Sequence, residues 1–348
     1  MGSKRNVLTV GGTGLLGRYL NSDSEVDFDN MRCSRYKLDI RSFRSIVDMI
    51  EESNLKPGDY ILNCAAFTDV AKAEKCPTDA YAVNVEGVKN LATACAFYKL
   101  KLIHISTGYV YDGKLHESHC GYSHNTHGDC EIPLNVYGKS KLAGEKEIVS
   151  RMPKEDYLII RTDSLYGENH AKKTILHKIL QKILTKENDK VVLYEDQLCS
   201  FTYAKDLAKW IRAYIASDDS VKADIGYKYG QIVNVVNRSV VNGLMRHLPY
   251  FVETFLDYMG LEGFKRKIRC IPFPEDGVCS DGVCRPKNVT LFSEVDEDED
   301  LRKRLGFTMS DPRKALKDFC LNNYRDLVKN AQICVENNGQ TPEQIDLH

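Results

Sequence analysis

No stretch of the 348-residue chain approaches the run of about 18 apolar residues that a membrane-spanning helix needs. The opening residues, Met1-Gly2-Ser3-Lys4-Arg5, pass into a strand-like segment without the apolar core of a secretion signal. Neither sign of charge is in excess. There are 48 Lys and Arg against 49 Asp and Glu, a formal net charge of −1, which excludes a globally basic nucleic-acid binder. No internal repeat is present. A compact cysteine framework is missing too, because the twelve cysteines are scattered and several sit in apolar patterns such as Ile61-Leu-Asn-Cys64-Ala-Ala. Free buried thiols in a reducing, cytoplasmic setting are expected, and the chain is long enough to bury a core without disulfides or a structural metal.

Short apolar runs alternate with amphipathic stretches over roughly the first two thirds of the chain. Strands are predicted at Asn6–Val10, Met31–Ser34, Asp59–Ala65, Lys101–Ser106, Tyr157–Arg161 and Gln231–Val236. Between them the spacing predicts helices at Gly14–Asn21, Arg41–Ser53, Thr78–Tyr98, Tyr137–Arg151 and Asp206–Ser217. Such alternation implies right-handed crossovers and an α/β fold, a doubly wound parallel sheet covered on both faces. Residues 1–240 are expected to form this domain, with 165–200 also contributing to the substrate side. Residues 241–330 form a small C-terminal lobe in this reading, and 331–348 a flexible tail. That lobe includes a helix near Gly243–Tyr258, a plain turn at Gly277–Cys284 and an acidic run, Glu294–Asp300, read as a solvated loop.

The segment Leu8-Thr-Val-Gly11-Gly12-Thr-Gly14-Leu-Leu-Gly17 ends a strand and opens a helix. Glycines there allow a tight turn, let backbone approach a pyrophosphate and let the helix pack against the strand. A carboxylate about 20 positions on would select NAD by binding a ribose hydroxyl. Here Ser34 and Arg35 stand in that place, and a guanidinium suits a 2′-phosphate, so NADP(H) is favoured, with NAD(H) as the alternative. Asp39 and Ile40, just beyond, are placed to meet the adenine edge.

Tyr137-Gly-Lys-Ser-Lys141 puts a phenol and an ammonium one helical turn apart, on one face. A phenol with an ordinary pKa of about 10 is a poor acid–base group at neutral pH, and a nearby cation would bring it toward the working range. Upstream, Ile103-His-Ile-Ser-Thr107 ends a strand with hydroxyls at its carboxyl edge, where open α/β sheets bind ligands. Thr107 is placed to bond a substrate carbonyl oxygen and to share a proton with Tyr137.

These segments, with Asn63-Cys-Ala-Ala-Phe-Thr-Asp, Asn84, Ser106-Thr-Gly-Tyr-Val-Tyr-Asp-Gly113, Leu134-Asn-Val-Tyr-Gly-Lys-Ser-Lys-Leu-Ala-Gly-Glu145 and Arg161-Thr162, resemble the extended short-chain dehydrogenases/reductases. Within that group the chain is most similar to the dTDP-4-dehydrorhamnose reductase family, whose late Arg-Pro-x-Asn motif has its likeness in Arg285-Pro-Lys-Asn288. The resemblance implies a Rossmann domain with a small substrate lobe. Thr107, Tyr137 and Lys141 are the implied catalytic residues. Implied cofactor contacts are Gly14, Leu15, Leu16, Asp39, Ile40, Ala65, Ala66, Tyr137 and Lys141, to which the reading of the residues adds Gly11, Gly17, Ser34, Arg35 and Phe67. On the substrate side the implied contacts are Thr107, Gly108, Ser164, Arg285 and Asn288. The implied reaction is reduction by NADPH of a 4-keto-6-deoxy nucleotide sugar, in a cytoplasmic enzyme that forms a homodimer.

The chain departs from the family at three places. Gly108 follows Thr107 where the family has Asp, Ser164 stands at a position that often holds Trp, and Asp196-Gln-Leu-Cys-Ser-Phe-Thr202 replaces Asp-Gln-x-Gly-x-Pro-Thr. Without carboxylates beside Thr107, 4,6-dehydration is disfavoured, while 4-epimerisation needs no such acid. The chain is also similar to the β subunit of methionine adenosyltransferase, which implies a second possibility, an NADP-binding regulatory subunit docked on that enzyme's catalytic subunit. Neither a nucleic-acid partner nor a membrane is expected. The loop His116-Glu-Ser-His119-Cys120 to Cys130 gathers four of the nine histidines, yet its spacing fits no standard zinc module, and a polar lid without metal is expected.

Overall fold

The computed structural model describes residues 5–22, 30–32, 38–115, 121–123, 130–168, 174–185, 190–237 and 243–323. Ser34, Arg35, most of the 116–130 loop and the expected tail 331–348 lie outside the described residues.

The chain runs β1 (Val7–Val10), α1 (Leu15–Ser22), β2 (Asn30–Arg32), α2 (Phe43–Glu52) and β3 (Tyr60–Asn63). Then come α3 (Val70–Lys75), α4 (Pro77–Tyr81), a π-helical turn (Ala82–Gly87), α5 (Val88–Tyr98) and β4 (Lys101–Thr107). They are followed by α6 (Val136–Arg151), β5 (Tyr157–Thr162), α7 (Ile175–Thr185), β6 (Val191–Tyr194), α8 (Ala204–Ala216), α9 (Asp219–Tyr229) and β7 (Ile232–Asn234). Last are α10 (Leu248–Tyr258), β8 (Ile268–Ile271), α11 (Glu294–Glu297) and α12 (Glu299–Leu305). The main sheet has the order β2-β1-β3-β4-β5-β7, parallel throughout, as the strand–helix alternation predicts.

Alternation along the strands covers both faces. Leu8, Val10, Ile61, Leu102 and Ile159 pack with Ile46 of α2, Leu91 of α5 and Ile148 of α6. Val7, Leu62, Ile103, Leu158 and Ile160 pack with Leu16 and Leu20 of α1 and Trp210 of α8. A second core holds Leu176 and Ile183 of α7, Val191 and Leu193 of β6, Phe251 and Phe255 of α10, and Phe319. A short parallel pair, β6 with β8, belongs to this second unit.

Cores and sequence order do not divide at the same residue. Tyr166, Phe201 and Tyr203 join the second core, whereas Val295, Leu301, Leu305 and Met309 return to the first. The acidic run is not a solvated loop. Asp298 caps α12 by accepting from Leu301 N at 3.0 Å, and Asp296, 1% exposed, accepts from Met309 N at 3.2 Å. Acidic side chains stabilise helix starts, and Val295 and Leu301 bury beneath them. The helix predicted at Thr78–Tyr98 runs without interruption over residues 77–98, and a π turn within it at Ala82–Gly87 carries the buried Asn84.

Candidate active site

The turn between β1 and α1 brings backbone against the end of β3. Gly11 has a φ of +78°, and a Cβ there would lie 2.7 Å from Ala65 N. At Gly17 a Cβ would lie 2.6 Å from Gly11 O, so the helix starts directly on the turn. The first-turn amides of α1 have no carbonyl ahead of them within the helix, and Thr13 and Gly14 are exposed beside them. Leu16 and Ile40 are different in kind. Their side chains are buried in the two cores that flank the sheet, so only their backbone can face a ligand. Asp39 is half-buried and paired twice with Arg41, at 2.9 and 2.7 Å, which holds its carboxyl below the usual range.

Ala65, Ala66 and Phe67 continue past β3 as half-buried backbone. Asn84 fixes them: its Oδ1 accepts from Phe67 N at 2.8 Å, while its Nδ2 donates to Phe67 O at 3.0 Å and Ser140 Oγ at 2.9 Å. Helix α6 docks unusually close to this region. A Cβ on Gly144 would lie 2.1 Å from Asn84 O, and one on Gly138 would lie 2.2 Å from Tyr109 O. Asn135 caps the helix, accepting from Gly138 N at 2.9 Å, and donates to Cys284 O at 3.0 Å.

This docking brings the Tyr137 phenol near the Thr107 hydroxyl at the end of β4, whose oxygen accepts from Tyr109 N at 3.2 Å. The Tyr109 ring meets the Tyr137 ring edge-on, with centroids 5.8 Å apart. Burial pushes the Tyr137 phenol up to about 12, and the Thr107 hydroxyl opposes the rise. The cation expected to do so points elsewhere. Lys141, 2% exposed, places Nζ 3.1 Å from His104 Nε2 and donates to Ile105 O at 2.7 Å. Burial lowers its ammonium to about 8, against the pull of Glu145 one turn along the helix and of Cys64.

Beneath these groups lies an ion cluster. Buried Arg161 meets Glu145 through Nε at 3.1 Å and Nη2 at 2.5 Å, and it donates to Glu131 at 2.6 Å and Tyr111 Oη at 2.9 Å. Burial opposes the Arg161 charge, but the carboxylates more than compensate, so the guanidinium stays charged. Ser106 Oγ also donates to Glu145. Asp163, unmarked in the sequence reading, is buried next to this site, and its charge acts on both Tyr137 and Tyr109. Burial raises its carboxyl to about 7, although Ser200 N and Ser164 Oγ donate to it, each at 3.2 Å.

On the side expected to meet substrate, the 285–291 segment crosses the turn after β4. A Cβ on Gly108 would lie 3.3 Å from Val289 O. Arg285 pairs with Asp281 through two contacts of 2.6 Å. Asn288 donates to Leu115 O at 2.9 Å and accepts from Thr290 N at 3.0 Å. Ser164 adopts a left-handed φ of 42° and bonds Asp163. Cys279 and Cys284 bracket a tight turn, and both are free. Among the described residues no group of three or more His, Cys, Asp or Glu could hold a metal, and no helix is long and apolar enough to cross a membrane.

Comparison with known proteins follows the same lines. The model of the RmlD substrate binding domain matches residues 5–230. The dTDP-4-dehydrorhamnose reductase of Mycobacterium tuberculosis is 34% identical over 206 residues, a match covering 59% of this chain and 62% of that enzyme. A dTDP-4-keto-6-deoxy-D-glucose reductase of Streptomyces niveus is 31% identical over 214 residues, covering 60% of this chain and 68% of the relative. The curated match to the mycobacterial enzyme thus spans 62% of that relative's own length. Among solved structures, the dTDP-4-dehydrorhamnose reductase of Bacillus anthracis in complex with NADP aligns with a TM-score of 0.70 at 26% identity, over 92% of this chain and 99% of that one. The chain belongs to the RmlD substrate binding domain family.

Proposed function

We propose that the chain is an NADPH-dependent reductase of a 4-keto-6-deoxy nucleotide sugar, with Tyr137 as proton donor. The observation that carries this reading is the placement of Tyr137, in the first turn of α6, near Thr107 at the carboxyl edge of β4, on the same edge of the sheet as the glycine turn after β1. Names of relatives support it, since both curated enzymes described above are 4-keto sugar nucleotide reductases. The residues present fit a dinucleotide: the Gly11 turn admits no side chain, and the free amides at the start of α1 suit a pyrophosphate. Gly11, Gly14, Leu15, Leu16 and Gly17 would hold the phosphates, Ser34 and Arg35 the 2′-phosphate, and Asp39, Ile40, Ala65, Ala66 and Phe67 the adenosine side. A bound nicotinamide supplies hydride to the keto carbon.

The protein's own groups do the rest. Thr107 and Tyr137 hydroxyls grip the keto oxygen, and the Tyr137 Oη–H proton passes to it as negative charge develops. Lys141 supports this site from the turn below, and Gly108, Ser164, Arg285 and Asn288 border the sugar. The test is loss of NADPH absorbance on a panel of 4-keto-6-deoxy sugar nucleotides, with turnover expected on at least one member. We place this activity in the cytoplasm, as a homodimer, and the free state of all nine described cysteines suits that compartment.

A regulatory role gains support from one observation. The polar ends of Arg285 and Asn288 are engaged by Asp281, Leu115 and Thr290. Tight NADPH binding without turnover on any panel member, together with co-purification of a methionine adenosyltransferase catalytic subunit, would establish that role instead.

A further inference from the structure

Asn63 and His104 are register partners on adjacent strands, so their side chains meet on one face of the sheet. Both are buried, and Asn63 Nδ2 lies 3.0 Å from His104 Nδ1. The orientation of that amide is fixed by a neighbour, because Ala65 N–H donates to Asn63 Oδ1 at 3.0 Å. Turning the amide over would set two donors face to face. With the NH2 group held toward the ring, His104 Nδ1 must accept, and a neutral imidazole then carries its proton on Nε2. That N–H points at Lys141 Nζ, 3.1 Å away. An ammonium has only donors, whereas an amine can accept from Nε2–H and still donate to Ile105 O.

We propose that Ala65, Asn63 and His104 form a directional hydrogen-bond chain that receives Lys141 as a neutral amine once the pH passes its midpoint, with Asn63 and His104 acting as positioning residues for it. The charged and titratable groups around Lys141 agree with this. His104 comes from β4, and burial, reinforced by Lys141, holds its own protonation well below the usual histidine range. Cys64, after β3, has its thiol pushed by burial up to about 12 and so offers no thiolate. Among the described residues Glu145 is the one carboxylate acting on Lys141, and Arg161 and Ser106 already engage it. When Lys141 takes up a proton, Nε2 must become an acceptor. His104 then has to move its proton to Nδ1, and the Asn63 amide has to yield. Lysine protonation and histidine tautomer therefore change together.

The inference rests on the reductase reading only for its consequence, that the charge below Tyr137 is switched rather than permanent. Its test needs no turnover. Full-length cofactor-free protein labelled with 15N-histidine and 13C-lysine is followed by NMR through the Lys141 midpoint, expected at about 8. His104→Gln assigns the ring signals by their disappearance. Above the midpoint His104 is expected as the Nε2–H tautomer, changing to Nδ1–H in step with the Lys141 signal. In Asn63→Asp, which accepts from Nδ1–H, the ring should stay Nδ1–H throughout, and the Lys141 midpoint should rise by about one pH unit or more. A ring that is Nδ1–H above the midpoint, or a tautomer indifferent to Lys141, overturns the proposal. Should Asn63→Asp not fold, the wild-type titration decides alone. Absence of reductase activity would leave this result standing, and a failed tautomer test would leave the reductase reading untouched.

Discussion

The two cores of the molecule are held by different physics. Around α6 and β4, buried polar groups are locked to one another: Asn63 to His104 to Lys141, and Ser106 to Glu145 to Arg161. The second core is aromatic, with Phe201 stacked on Phe251 at 3.9 Å and Tyr166 on Tyr203 at 5.4 Å. Its charged pairs, such as Arg285 with Asp281, lie nearer the surface. Aromatic packing tolerates changes of outline, whereas a buried polar network fails when one member is lost. Under the proposed function, chemistry would be fixed in the first region and substrate choice free to vary in the second.

The largest expected effect tests the first region. Tyr137→Phe keeps the ring against Tyr109 but removes the proton donor, so reduction should fall by about 10²- to 10⁴-fold. NADPH affinity, followed by fluorescence titration, should hardly change, the mark of an interaction made in the transition state. Normal turnover would remove Tyr137 from the mechanism.

Glu145→Gln comes next. It leaves Arg161 buried with its main counter-charge gone, and breaking such a pair typically costs about 3–5 kcal/mol. Denaturant unfolding measures this. Arg285→Ala, whose ion pair is more open to solvent, should cost no more than about 1 kcal/mol in the same assay. Equal losses would abolish the contrast between the regions.

Asp163 sharpens it through pH. Its carboxyl is raised from 3.8 to about 7 in the folded chain, so folding favours the protonated form. Wild-type stability should therefore decline as pH rises from about 4 through about 7, and the loss is complete above that range. At about 1.4 kcal/mol per pH unit the full span is on the order of 4 kcal/mol. Asp163→Asn lacks the titration, so its melting temperature relative to wild type should climb from pH 4 to pH 8. A constant difference would show that the carboxyl titrates normally. The last test concerns Arg35. Arg35→Ala should weaken NADPH about tenfold or more while sparing NADH, since a charged hydrogen bond is worth about 1.5–3 kcal/mol. Equal loss for both nucleotides would remove it from the 2′-phosphate site.

Much of the first region was legible because it obeys short-range rules. Apolar strand residues alternate between two helix layers, and the glycine turn and the Tyr137–Lys141 spacing are local patterns. What the spacing could not reveal was direction. Lys141 shares a helix face with Tyr137, yet its amine turns to His104, a residue that reads in sequence as one more strand position. Asp163 was hidden in the same way, because its neighbourhood comes from Ser200 and Tyr137, distant in the chain. The strands β6 and β8 were missed because four-residue runs separated by more than seventy residues carry no periodic signal of their pairing. In the acidic run, composition suggested water, and the helix-capping role of Asp298 outweighed it.

Gly138 and Gly144 let α6 touch backbone at both of its flanks, and the same helix carries Tyr137, Lys141 and Glu145. Tyr137, Lys141 and Glu145, the anchor of the ion cluster, are thus geared to the same two close contacts. Any added side-chain carbon at either flank moves all three at once. Along this helix, catalytic rate and thermal resistance cannot be adjusted independently, so selection for one should be felt as a constraint on the other.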